Sequence, residues 1–148
     1  MIYLNIGTNL GDKATNLYKA IMLIEHSLQC ECTLSDTIES EPWGYESTNT
    51  FLNIGVALNA NITPEELLDK IHQIEQHMGS TTHRNESGEY IDRLIDIDII
   101  AIDNMVINTP QLKIPHPELS HRPFVYLPLK QLATPILYEE ILLLSHHK

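Results

Sequence analysis

Positive charge is what this chain has least of. It carries three arginines in 148 residues, and Lys and Arg together number 9 against 20 Asp and Glu, for a formal net charge of −11. A long phosphate backbone is gripped by a basic surface, so this balance excludes nucleic acid as the main partner but not a single small nucleotide. Cysteine is nearly absent too. Cys30 and Cys32 make no disulfide framework, and as alternate residues of one extended segment they are poorly placed to bridge each other, so reduced, buried thiols are expected. No apolar run approaches the roughly 20 residues that span a bilayer. The opening Met1-Ile2-Tyr3-Leu4-Asn5 lacks the basic-then-apolar pattern of an export signal, and the expected setting is the cytoplasm, away from membranes. Gly7 and Gly11 follow an apolar stretch, but their spacing matches neither a P-loop nor a dinucleotide fingerprint, and tight turns are their expected role.

What is present is enough for one compact domain over residues 1–148, with 43% hydrophobic residues to fill a core. Its most informative stretch is Arg93-Leu94-Ile95-Asp96-Ile97-Asp98-Ile99-Ile100. Strict alternation marks a strand with Ile95, Ile97 and Ile99 on one face and Asp96 and Asp98 on the other. Same-face neighbours on a strand lie roughly 6 to 7 Å apart. At that separation two carboxylates repel by roughly 2 to 3 kcal/mol at an effective dielectric near 20, which favours an open, wet face or a cation between them. Alternation alone favours an ordinary half-buried strand with a solvated acidic face. If a cation is held, oxygen ligands of this kind suit Mg²⁺, completed by substrate phosphates. All three arginines, Arg84, Arg93 and Arg122, fall in the same third of the chain as this strand and His116, a clustering that fits a local polyanion site.

The rest of the chain supplies a frame. Ile2, Leu4 and Ile6 alternate as a first strand; Asp12 caps a helix striped with Leu17, Ile21, Ile24 and Leu28; and a second strand is expected from Cys30 to Ile38. From Phe51 to Ala60 alternation returns, with Leu52, Ile54, Val56 and Leu58 facing the helices and Phe51, Asn53, Gly55 and Ala57 facing away. If this strand and the Asp96 strand share a sheet, Phe51, Asn53, Asp96 and Asp98 look out from one side. Thr63-Pro64-Glu65-Glu66 is a capped helix start, and that helix runs to Met78 before Gly79. Glu75 falls at the margin of its buried stripe, where a solvated edge position is the ordinary expectation. The polar stretch from Gly79 to Asp92 reads as a long surface loop. Pro115-His116-Pro117 holds a histidine stiffly, Arg122-Pro123-Phe124 follows, and a helix is expected through Leu132 with Pro128 starting or kinking it. The order strand, helix, strand, strand, helix, strand is α+β: a ferredoxin-like βαββαβ sandwich with additional C-terminal elements, helices packed on one face of the sheet and the other face open.

Several motifs taken together resemble a known family. Gly7-Thr8-Asn9-Leu10-Gly11, Glu41-Pro42-Trp43-Gly44, Phe51-Leu52-Asn53, Asp92 through Asp98, and Ile114 through Phe124 are similar, in order and separation, to 6-hydroxymethyl-7,8-dihydropterin pyrophosphokinase of folate biosynthesis. The resemblance implies transfer of pyrophosphate from Mg-ATP to the hydroxymethyl group of the dihydropterin, with release of AMP. It implies that Asp96 and Asp98 hold two Mg²⁺ ions, that Arg84 and Arg93 pair with phosphate oxygens, and that Glu75, His116 and Arg122 contact ATP. By the same resemblance Phe51 and Phe124 sandwich the pterin, Asn53 reads its edge, and Ser40, Pro42 and Trp43 supply backbone or wall contacts. It leaves a monomer or weak homodimer as the expected form. Where the family commonly carries arginines after the glycine that ends the second helix, this chain has Ser80, Thr81 and Thr82, with Arg84 further along, and Tyr90 stands where a tryptophan is often found. That departure keeps a second reading open, a nucleotide- or pterin-binding protein of the same fold with impaired catalysis. A third reading is an interaction module of the same fold whose acidic face is merely solvated.

Overall fold

The computed structural model describes residues 1–41, 50–79 and 94–146. Four strands form one antiparallel sheet: β1 (Ile2–Thr8), β2 (Cys32–Ser40), β3 (Phe51–Leu58) and β4 (Asp96–Ile102), in the spatial order β2-β3-β1-β4. Helix α1 (Lys13–Leu28) connects β1 to β2 and helix α2 (Pro64–His77) follows β3, as the sequence order anticipates. Both starts are built as the residues dictate. Asp12 accepts from the Thr15 amide at 3.1 Å, and Thr63 accepts from the Glu66 amide at 3.2 Å with Pro64 in the first turn. Beyond α2, Gly79 takes φ +92°, a left-handed conformation that glycine reaches without the steric cost other residues bear. β2 runs two residues further than the alternation suggests, to Ser40, because Ser40 pairs with Phe51 at the start of β3.

One face of the sheet meets α1 and α2. Ile2, Leu4, Ile6, Ile54, Val56, Leu58, Ile95, Ile97 and Ile99 pack there against Leu17, Ile21, Ile24, Leu67, Ile71 and Ile74. Each such side chain contributes about 1.5 to 3 kcal/mol of hydrophobic free energy when fully buried, which fixes the strand faces and therefore the register.

The opposite face is not open, contrary to expectation. A second core of Tyr3, Ala57, Ile100, Ala101, Leu119, Val125, Leu129 and Ile141 covers one end of it. Its lid is α3 (Pro123–Leu132), backed by α4 (Pro135–Ser145). The region after Pro135 carried no helix assignment from its pattern, yet Thr134-Pro135 repeats the cap-and-proline start of α2, with Thr134 accepting from the Leu137 amide at 3.3 Å. Pro123 starts α3, while Pro128 lies inside it and turns its ring toward Gly55.

Two irregularities seat that lid. β4 carries an extra residue against β1, since Leu4 pairs with Ile99 but Tyr3 with Ala101, so Ile100 and Ala101 both join the second core. β2 shifts register against β3 between Leu34 and Thr37, and the Ser35 hydroxyl there accepts from the Gly55 amide at 2.8 Å. Gln131 of α3 clasps the shifted segment, accepting from the Asp36 amide at 2.9 Å and donating to its carboxylate at 3.2 Å. A short ribbon, β5 (Ile107–Asn108) with β6 (Lys113–Ile114), packs beside β4.

Candidate active site

The end of the second face that α3 leaves uncovered is a cleft with about 400 Å³ of empty space, part of it open to solvent. Asn5, Gly7, Ser40, Glu41, Phe51, Asn53, Asp96, Asp98, Arg122 and Phe124 line it. Strand register explains the convergence: Asn53 pairs with Gly7 across β3 and β1, Gly7 pairs with Asp96 across β4, and Asn5 pairs with Asp98. Asn53 and Asp96 therefore flank Gly7 on one face, on strands spaced about 4.8 Å apart.

Gly7 was expected in a turn; it lies within β1 as the floor of the cleft. A Cβ there would sit 2.8 Å from Asn53 Oδ1 and 3.4 Å from the Phe51 ring, so only glycine leaves the floor low. Gly11 does occupy a turn, at φ +66°. Asn53 is 2% exposed and its Nδ2 donates to the Ile38 carbonyl at 3.1 Å and the Ser40 hydroxyl at 2.9 Å. With both donors engaged by β2, the amide offers its oxygen to the cleft. Asn5 Nδ2 donates to the Phe124 carbonyl at 2.8 Å, which fixes the start of α3 over the sheet, and Phe124 joins Phe51 in lining the cleft.

Asp98 belongs to a second cleft as well. Along the free edge of β4 lies a broader, open depression of about 840 Å³, lined by Leu68, His72, Glu75, Ile97, Asp98, Ile99, Pro110, Gln111, Leu112, Lys113, His116 and Pro117. His116 is held at its mouth by its own amide, which donates to the Ile100 carbonyl at 2.8 Å. Its Nδ1 accepts from the Glu118 amide at 3.1 Å, so the ring proton sits on Nε2 as a donor. Burial, and after it the Arg122 guanidinium, lowers the His116 pKa to about 4 against the opposing pull of Asp96 and Glu118. At neutral pH this is a neutral hydrogen-bond donor beside a cationic one.

Glu75 departs most from its expected place. It is 4% exposed, and its carboxylate accepts from the Ile97 amide at 2.9 Å, on the outer edge of β4 between the two aspartates. The amphipathic stripe put it at a margin, but the margin of α2 abuts an edge strand rather than solvent.

Of the residues singled out from the sequence, Ser40, Phe51, Asn53, Asp96, Asp98, Arg122 and Phe124 gather at the first cleft and Glu75, Asp98 and His116 at the second. Pro42, Trp43, Arg84 and Arg93 lie outside the described residues. Sequence reasoning missed Asn5, although it alternates with Leu4 and Ile6 on the same face as Asn53. Glu41 stood only as part of the Glu41-Pro42-Trp43-Gly44 motif, without a role of its own, and Lys113 carried no signal.

Among the described residues no group of three or more His, Cys, Asp and Glu side chains is arranged to cage a metal ion. Two half-buried carboxylates on adjacent same-face positions are instead what Mg²⁺ takes when substrate phosphates and water complete its shell, so the donor set fits. Again among the described residues, no helix is long and apolar enough to cross a membrane.

The two clefts of this α+β sheet share the Asp98 carboxylate as a wall. The 7,8-dihydro-6-hydroxymethylpterin-pyrophosphokinase family matches residues 3–134, and the chain belongs to that family. Among its relatives is the 2-amino-4-hydroxy-6-hydroxymethyldihydropteridine pyrophosphokinase of Porphyromonas gingivalis, 39% identical over 134 residues, which cover 90% of each chain. Enzymes of the same description from Aquifex aeolicus and Bacillus subtilis are 36% and 34% identical, over 93% and 88% of this chain and 82% and 77% of their own. The activity that goes with this membership is pyrophosphoryl transfer from ATP to hydroxymethyldihydropterin, a step of folate biosynthesis.

Proposed function

We propose that this protein performs that transfer with the pterin in the cleft between Phe51 and Phe124, ATP along the free edge of β4, and reaction where the two meet at Asp98. The observation that carries this reading is the shared wall: Asp98 lines both clefts. The two rings hold the flat heterocycle by stacking, and Asn53 Oδ1 accepts from N–H groups on its edge. Asp96 and Asp98 would hold two Mg²⁺ ions, and these when bound would supply neutralisation of the phosphate charge. His116 donates Nε2–H to a phosphate oxygen, and Arg122 together with Arg84 and Arg93 neutralises the same group. The substrate hydroxyl attacks the β-phosphorus, the bond to the α-phosphate oxygen breaks, and AMP leaves with that oxygen. Glu41 and Ser40 border the pterin, and Pro42 and Trp43 extend its wall. In this reading the protein works in the cytoplasm as a monomer or weak homodimer.

AMP release from ATP and 6-hydroxymethyl-7,8-dihydropterin, with and without Mg²⁺, tests the reading. Metal-dependent AMP is expected, and Asp98→Asn should lower kcat at least 100-fold, about 3 kcal/mol of transition-state stabilisation, while the melting temperature stays within a few degrees. Pterin binding without AMP release would select the impaired binding protein, and a full rate in Asp98→Asn at saturating Mg²⁺ would remove the metal assignment.

A further inference from the structure

Glu75 is a buried carboxylate at the wrong end of a helix. It lies in the last turn of α2, where the backbone dipole presents negative charge, and it is almost wholly removed from water. Such a placement is unfavourable unless the carboxylate is engaged, and Glu75 Oε2 accepts from the Ile97 amide at 2.9 Å. Ile97 is the residue between Asp96 and Asp98, and among the described residues its amide lies on the side of β4 that has no neighbouring strand in the sheet. An edge strand has no ladder on its outer side to hold the direction of its peptide planes. Here the bond from α2 supplies that constraint at the peptide joining Asp96 to Ile97, and so at the backbone from which both carboxylates project.

We infer that Glu75 is a positioning residue for the metal-binding pair: it acts through the Ile97 amide, as the missing neighbour of β4, and sets the mutual aim of Asp96 and Asp98. The inference rests on the proposed metal role of those two residues. It assigns Glu75 a function through the strand, in addition to its place in the wall of the second cleft. Geometry, not charge, is what Glu75 provides, and the two are separable. Glu75→Gln keeps a side-chain oxygen at the same reach and removes the charge. Glu75→Asp keeps the charge but is one methylene shorter and withdraws from Ile97.

The test measures Mn²⁺ affinity by titration calorimetry in the presence of a non-hydrolysable ATP analogue, with exchange of the Ile97 amide proton followed by NMR. Glu75→Gln should bind the metal within about threefold of the parent and protect the amide. Glu75→Asp should bind about tenfold more weakly and exchange that amide at least tenfold faster, a difference of about 1.4 kcal/mol in each case. Both variants retain a polar side chain of similar size, and thermal melts verify that they fold; should Glu75→Asp fail to, Glu75→Gln set against Glu75→Leu compares two uncharged side chains that differ in the acceptor offered to Ile97, and equal metal affinity in these two would overturn the inference. The reverse order, with Gln weak and Asp normal, would overturn the inference in favour of a charge role. Fast amide exchange with unaltered metal affinity would overturn it as well, by uncoupling the strand edge from the pair. If no variant or parent binds the metal, while Ile97 exchange responds as expected, it is the metal assignment that has failed and not the bond.

Discussion

At the scale of single residues the cleft is shaped by what is left out as much as by what is present. Gly7→Ala adds one methyl group, 2.8 Å from an amide oxygen whose nitrogen is tied to two acceptors on β2 and cannot swing away freely. The variant should raise the pterin KM about tenfold or more and cost about 1 to 2 kcal/mol of stability, as overpacking of a filled site does. Steady-state kinetics and a melt decide it; an unaltered KM would mean that Asn53 does not read the substrate. His116 makes a second test. Its folded pKa near 4 lies below the ordinary 6.5, so the unfolded chain binds its proton first as pH falls. The stability this residue contributes is complete above about pH 6.5, declines as pH drops toward 4, and is gone below that. Allowing for partial solvent screening, it amounts to about 2 kcal/mol. Urea denaturation of the metal-free protein at pH 7 and pH 4.5, in parent and His116→Gln, measures it: the parent should lose more stability between the two than the variant. Equal losses would place the titration elsewhere.

At the scale of elements, α3 is the part that turns a generic sheet into a site. Its contact with the sheet is close at Gly55, where a Cβ would lie 2.6 Å from Pro128 Cβ and 3.2 Å from both a Leu132 methyl and the Ser35 hydroxyl. A proline ring inside a helix has little freedom to yield, so Gly55→Ala should push α3 outward as a unit. A loss of about 1 to 3 kcal/mol in urea denaturation is expected, together with weaker pterin binding because Phe124 rides on the same helix. Lost stability with intact binding would show that the helix start is anchored independently, by Asn5.

At the scale of the whole molecule, the main sheet and its first helix layer were legible from sequence. The isoleucines of β4, the stripes of α1 and α2, and the alternation of β3 each state one periodicity and agree with one another. That agreement is what put Phe51, Asn53, Asp96 and Asp98 on a common face before any coordinates. Of the second layer the helix through Leu132 was legible, but not its place over the other face of the sheet. Covering the other face depends on an extra residue in β4, a register shift in β2 and a proline within α3, and none of these leaves a periodic trace. Glu75 was misread for a related reason: a helical pattern tells which residues avoid water, but not that an unpaired strand edge waits beside the margin. The chemical identity of the pterin came from the motifs and the family, not from pattern.

The bond from Asn5 to the Phe124 carbonyl closes the first cleft across 119 positions of sequence. A ribosome adds residues in order, at about 5 to 20 each second, and domains tend to fold as their parts emerge. When translation has passed β4, the residues of the sheet, of both helices of its first layer and of the two carboxylates have been synthesised. Those of α3, Phe124 among them, have not. The carboxylate strand is thus made before the acceptor's wall, and the first cleft closes only when α3 folds back onto β1, the first strand made.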